Sequence, residues 1–202
     1  YGLRDGVISE TLAFEAFEPL LDTVPLFLRS TPEAVTFGRE LFRFARPVLD
    51  EIELSEGVKQ AICLMADAGA RMHPDHRPNL VFDQIIRAPV PALTHQERTF
   101  AAYACASRYT FKFIAPMRLG ELLPERHIKQ AKLFGTIMRL GAVYSGRSAA
   151  ILKTVILERD GTDLVLRVDP AYADLVSETV EHRLDQLAGL MKLAPRLETR
   201  LG

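Results

Sequence analysis

Along most of residues 7–145 the apolar side chains recur at helical spacing, and after Ser145-Gly146-Arg147 that spacing stops. Short runs rich in Val, Ile and Leu replace it: Ala150–Glu158 and Asp163–Val168, split by Asp160-Gly161. A 3.6-residue period buries one stripe of a helix, whereas short β-branched runs around Asp-Gly fold into a hairpin. The change of period restricts the chain to a mainly α fold: a helical domain over about 10–145, then a small α+β domain over 146–202 containing a β-hairpin.

Local signals place the elements. Thr31-Pro32-Glu33 combines an N-cap, a proline at the first helical position and an acid in the first turn. Val35, Leu41, Phe44, Val48, Leu49 and Ile52 follow at helical spacing, with Pro47 expected to kink or divide the helix. A second helix is expected from about Ser55, with Val58, Ile62, Met65 and Gly69 along one face. Pro74 and Pro78 break the stretch Arg71–Pro78 before a short helix around Leu80–Ile86. Thr94-His95-Gln96-Glu97 is a capping box that should introduce a buried helix to about Tyr109. A long helix is expected over Pro124–Tyr144, with Ile128, Ala131, Leu133 or Phe134, Ile137 and Leu140 inward. Asp169-Pro170 opens another helical region, and a last strand is expected over Pro195–Arg200.

Charge is distributed unevenly. Residues 1–70 carry 6 basic and 12 acidic side chains, residues 71–153 carry 13 and 5, and residues 154–202 carry 6 and 9. A central basic block between acidic flanks suits a surface that meets a polyanion, or equally a solvated face. No apolar run approaches the roughly 18–20 residues of a membrane span, and no basic start followed by an apolar stretch marks a signal peptide. Cys63 and Cys105 sit in apolar helical patterns and read as buried free thiols, with a disulfide left open. A soluble cytoplasmic protein without a membrane or sequence-specific nucleic-acid partner is expected. The start at Tyr1 suggests a fragment or processed chain.

Catalytic motifs are sparse. No serine sits in a Gly-x-Ser-x-Gly elbow, and no Gly-x-x-x-x-Gly-Lys-(Ser/Thr) loop is present to cradle a nucleotide phosphate. Neither cysteine is flanked by residues that would obviously lower its pKa.

Several segments resemble the exopolyphosphatase / guanosine-pentaphosphate phosphohydrolase family. Tyr1-Gly2-Leu3-Arg4-Asp5-Gly6-Val7 is similar to the Gly-Leu-Arg-(Glu/Asp)-Gly segment that closes the second actin-like domain there. Leu64-Met65-Ala66-Asp67-Ala68-Gly69 occupies the place of the family's HD-like sequence. His73 and His76 fall where the family has histidines, and Ala102-Tyr103 through Arg108-Tyr109 resembles its Arg-Tyr-His segment. The resemblance implies three parts: the end of an actin-like domain over 1–9, an HD-like helical domain over 10–145, and the small last domain over 146–202.

It also implies that hydrolysis, with magnesium, belongs to upstream actin-like domains, so that this region alone is catalytically silent and holds no cofactor. Ala66 stands where an HD-type metal site needs histidine, and alanine supplies no lone pair; Thr110 follows Tyr109 where the family often has another histidine. No metal is therefore expected, and Asp67, His73 and His76, with Asp75, are the residues that would form a reduced site. Arg71, His73, His76, Arg77, Arg108 and Lys112 border the HD-like pocket and are the candidates for binding polyphosphate or a phosphorylated guanosine nucleotide. Lys129, Lys132, Arg139, Arg147 and Lys153 extend the basic block. The resemblance also implies a homodimer. The rival readings are a purely structural dimerisation module and a stand-alone HD-type metal phosphohydrolase.

Overall fold

The computed structural model describes residues 19–115 and 122–199, so the Tyr1–Val7 segment and Arg200 lie outside the described residues. Helix α1 (Pro19–Phe27) turns at Leu28–Ser30 into α2 (Pro32–Ala45). The Thr31 hydroxyl accepts from the Ala34 amide at 3.3 Å, satisfying one of the amides that a helix start leaves free. Pro47 ends this helix: a 3-10 turn covers Arg46–Val48, and the apolar period that continues to Ile52 leaves the helix axis. Ser55 caps α3 (Glu56–Met65), which stops short of Gly69, so that Asp67–Gly69 lies in a turn. Turns fill the proline-bounded stretch, and α4 (Arg77–Arg87) begins three residues before the expected start because Pro78 is tolerated in a first helical turn.

The capping box forms as expected. Glu97 accepts the Thr94 amide proton at 2.8 Å while the Thr94 hydroxyl accepts from the Glu97 amide at 3.2 Å, opening α5 (His95–Tyr109). This helix is buried continuously from Thr99 to Arg108, and its alanines let neighbours approach closely. The long helix α6 (Glu125–Ser145) packs against it with Ala131, Phe134, Ile137 and Leu140 fully buried. Each large apolar side chain so buried stabilises by roughly 1.5–3 kcal/mol. Contact is closest at Gly135, where a Cβ would lie 2.5 Å from the Ala104 carbonyl oxygen.

Gly146 caps α6 in the left-handed region at φ 57°, and Arg147 follows at φ 68°. Beyond this turn the expected strand over 150–158 divides. Ser148 accepts from the Ile151 amide and caps a short helix, α7 (Ala149–Leu152), before β1 (Val155–Asp160) begins. The hairpin closes through Gly161-Thr162 into β2 (Asp163–Val168), with Leu157 opposite Leu166. A 3-10 helix (Pro170–Leu175) and α8 (Glu178–Met191) cross back to β3 (Ala194–Thr199), which pairs parallel to β2. The architecture is mainly α with a small β1-β2-β3 sheet at its C-terminal end.

One apolar core crosses the change of architecture: Leu152, Val155 and Leu157 share a buried cluster with Phe44, Leu41 and Ile137. Polar stitches reinforce it, with the Arg43 guanidinium donating to the Leu152 carbonyl at 2.6 Å and Arg159 pairing with Glu51 at 3.0 Å. No described helix is long and apolar enough to cross a membrane.

Candidate functional site

The end of α5 delivers Arg108 and Tyr109 onto the turn that follows α3. Arg108 is almost completely buried, and its guanidinium lies 3.1 Å from one Asp67 carboxylate oxygen. It also donates to the Ala66 carbonyl and, at 2.8 Å, to the Tyr109 hydroxyl, which in turn donates to the Ala66 carbonyl at 3.2 Å. A buried guanidinium needs such partners, because removing water from an unpaired charge costs several kcal/mol; only its Nε is left without an acceptor. Arg147 reaches the other Asp67 oxygen at 3.3 Å from the far side. Asp67 is therefore held between two guanidiniums. The position where an HD pattern requires histidine, Ala66, contributes only its backbone carbonyl to this cluster.

Two clefts meet at Gly146-Arg147. The first, about 440 Å³, runs past Arg29, Thr31, Glu33, Asp67, Arg71 and Arg147. Glu33 is held below the ordinary carboxylate range by its own backbone amide, then by the Thr31 side chain, with the Arg71 charge adding to the effect. Arg29 and Arg147, which both line this cleft, take left-handed backbone conformations with φ 50° and 68°. Such geometry in non-glycine residues costs about 1 kcal/mol or more and concentrates at functional sites.

The second cleft, about 340 Å³, is lined by Arg77, Arg108, Tyr109, Arg139, Ala142, Val143, Gly146 and Arg147. Four guanidinium-bearing residues and no carboxylate face it. The α6 face forms one wall, since residues 139, 142, 143 and 146 recur at helical spacing. Arg77 lies 5.2 Å from the Tyr109 ring centre and Arg108 5.0 Å, and Arg77 also donates to the Met72 carbonyl at 2.9 Å. Burial pushes the Tyr109 phenol above its ordinary pKa.

The candidate residues separate into three groups. Arg71 lines the first cleft, and Arg77 and Arg108 line the second. His73 and His76 stand exposed on the turn before α4, with ring centres 5.8 Å apart and His73 3.8 Å from Asp75; neither lines either cleft. Lys112 is exposed beyond the end of α5, away from both. Arg139 and Arg147, read in sequence only as part of the extended basic block, are brought into the cleft with Arg77 and Arg108. The spacing Arg139, Val143, Gly146 along one helix face was the available signal for Arg139. Arg29 had none.

Asp67 lies with arginines rather than with His73 and His76, and among the described residues no three His, Cys, Asp or Glu side chains converge as metal ligands would. Cys63 and Cys105 are free and buried; burial raises both thiols, Cys105 to about 12, so neither offers a thiolate near neutral pH. The chemistry these clefts support is the recognition of anionic oxygen. Guanidinium forks match phosphate oxygens in pairs, and the second cleft, unlike the first with Glu33 and Asp67, has no carboxylate among its lining residues to compete with such a ligand.

The family model described as "Exopolyphosphatase, C-terminal" matches residues 30–196. No curated protein sequence matches the chain. The match covers most of the chain, which belongs to the exopolyphosphatase C-terminal family.

Proposed function

We propose that this member of the exopolyphosphatase C-terminal family binds and orients polyphosphate for hydrolysis by actin-like domains. The observation that carries this reading is the second cleft, where Arg77, Arg108, Arg139 and Arg147 converge without a carboxylate among the lining residues. Arg108 is committed to Asp67 and sets the shape of the wall. Arg147 is exposed and Arg77 half-buried, and Arg147 also borders the cleft containing Arg71. A flexible chain of phosphates can follow that line from Arg77 across Arg147 to Arg71.

Binding of labelled polyphosphate to the purified chain, followed by fluorescence anisotropy across a salt series, tests the reading. Three phosphate contacts predict a log–log salt slope of about −2, taking roughly 0.7 per contact as for single-stranded polyanions. Paired substitution of Arg77→Ala and Arg147→Ala should weaken binding at least tenfold, and Arg87→Ala, on an exposed side chain outside both clefts, should not. Unchanged affinity in the double variant would overturn it.

A second reading, a homodimerisation role, is favoured by a separate observation. Phe111, Leu133 and Leu190 line an apolar depression of about 380 Å³, with Lys129 and Lys132 also lining it. Ile114 is 79% exposed on the segment that follows Phe111. Sedimentation equilibrium with Leu190→Asp separates the two roles: loss of a dimer with retained polyphosphate binding assigns them to different surfaces.

A further inference from the structure

The two edges of the small sheet are treated differently. At β1 the outer edge is occupied: the Val155 carbonyl accepts from the Arg43 guanidinium at 3.4 Å, and the 3-10 turn Arg46–Val48 packs alongside. At β3, the other edge of the β1-β2-β3 order, the outward backbone groups have no hydrogen-bond partner among the described residues. The Ala194 amide donates to the Thr162 carbonyl at 2.9 Å. Ala194, Arg196 and Glu198 therefore turn their backbone groups toward β2, and Pro195, Leu197 and Thr199 turn theirs outward. Proline, which has no N–H, sits at one of the outward positions, where β2 does not need it. Leu197 stands opposite Leu166 in the register, yet Leu166 is fully buried while Leu197 is 40% exposed. A strand edge with free amides and an exposed apolar side chain is a template for another strand.

We propose that this edge takes the same strand of a second copy of the chain, antiparallel, about a two-fold axis at Leu197. The self-complementarity of β3 singles out that occupant. Pairing Leu197 with the partner's Leu197 sets Arg196 opposite the partner's Glu198 and Glu198 opposite the partner's Arg196, on one face. Both side chains are already held on that face, Arg196 by Asp163 at 3.3 Å and Glu198 by Arg167 at 2.6 Å. Opposite charges directly across an antiparallel pair stabilise it, whereas a slip by two residues either way sets arginine on arginine or glutamate on glutamate. On the other face the two Leu197 side chains cover each other. Each Leu197 amide donates to the partner's Leu197 carbonyl, and each Thr199 amide to the partner's Pro195 carbonyl. The N–H that proline lacks is then missed only at the ends of the ladder. Such a contact is isologous and joins two three-stranded sheets into one. It is separate from the apolar depression at Phe111 and Leu190, and it stands apart from the polyphosphate reading, because no residue of either cleft belongs to β3.

Cysteine cross-linking in the whole chain tests both the contact and its register. Residues facing each other across a hydrogen-bonded antiparallel pair have Cα atoms about 5.5 Å apart, within reach of a disulfide. Leu197→Cys should therefore cross-link to its own counterpart under mild oxidation. Thr199→Cys should not, because its counterpart lies about 13 Å away along the paired strands. The native Cys63 and Cys105 are buried and do not contribute. Sedimentation equilibrium supplies the second readout. Thr199→Pro removes an outward donor from each copy and no hydrogen bond to β2, so it should weaken the dimer about tenfold or more while leaving the thermal midpoint unchanged. Leu190→Asp, in the depression, should leave the Leu197→Cys cross-link intact. Absence of that cross-link, or equal cross-linking through position 199, overturns the pairing. Loss of the cross-link in Leu190→Asp also overturns it and places the contact between copies at the apolar depression.

Discussion

Replacing Gly135 by alanine sets two effects of known size against each other. In a helix interior the change gains about 1 kcal/mol of helix propensity. Here the added methyl would meet the Ala104 carbonyl oxygen at 2.5 Å, the Ser107 Cβ at 2.7 Å and the Arg108 amide nitrogen at 2.8 Å. None of these atoms sits at the end of a side chain that can rotate away, so α5 and α6 must move apart. Overpacking of this kind costs about 1–3 kcal/mol, and a contact with rigid backbone belongs at the upper end. The net expectation is destabilisation by about 1–2 kcal/mol, or about 2–8 °C in a chain of this size. Gly57→Ala is the control: it lies in the first turn of α3 with no heavy atom within 4 Å of the new methyl, and should stabilise by about 0.5–1 kcal/mol. Equilibrium urea unfolding at constant m-value reads both. The reasoning is refuted if Gly135→Ala shifts the midpoint in the same direction as Gly57→Ala. Because the displaced backbone includes Arg108, the Gly135 variant should also bind polyphosphate more weakly.

Other consequences are open to measurement. Asp67→Ala leaves the buried Arg108 guanidinium without its carboxylate and should cost about 3–5 kcal/mol in urea unfolding; a loss below about 1 kcal/mol would show that the pair is not structural. Thr94→Ala removes the hydroxyl that accepts from the Glu97 amide, the side-chain half of the capping box, and should cost about 1 kcal/mol, seen as a lower urea midpoint. Cys63 and Cys105 should resist iodoacetamide at pH 8 in the native protein and react in denaturant, and rapid native labelling would contradict their burial. Since the folded chain keeps the Cys105 proton to about pH 12 while an unfolded thiol loses it near its ordinary value, stability should fall as pH rises through that window.

Signals that act within a few residues are legible in the sequence. Thr31, Ser55 and Thr94 cap the helices they introduce, Pro47 ends one, and Asp160-Gly161 marks the hairpin. Ala150–Leu152 misled, because a short apolar run suits a strand and a buried helical turn alike, and Ser148 settles it by capping α7. Arg77 and Arg108 stand out as basic residues near one segment. That Arg108 is consumed by Asp67, and that Arg139 joins Arg77 and Arg108 in one cleft, depends on how α5 packs against α3 and α6, which no local pattern encodes. His73, His76 and Lys112 illustrate the converse, since nearness in sequence to Arg71, Arg77 and Arg108 does not place them in a cleft.

The central claim is that a polyphosphate chain lies along Arg77, Arg147 and Arg71. Arginine modification by phenylglyoxal, read residue by residue by mass spectrometry with and without polyphosphate, tests it most directly. The account predicts protection at Arg71, Arg77 and Arg147 and none at the exposed Arg87, Arg126 and Arg159. Protection spread evenly over all six, or absent from the first three, would contradict it.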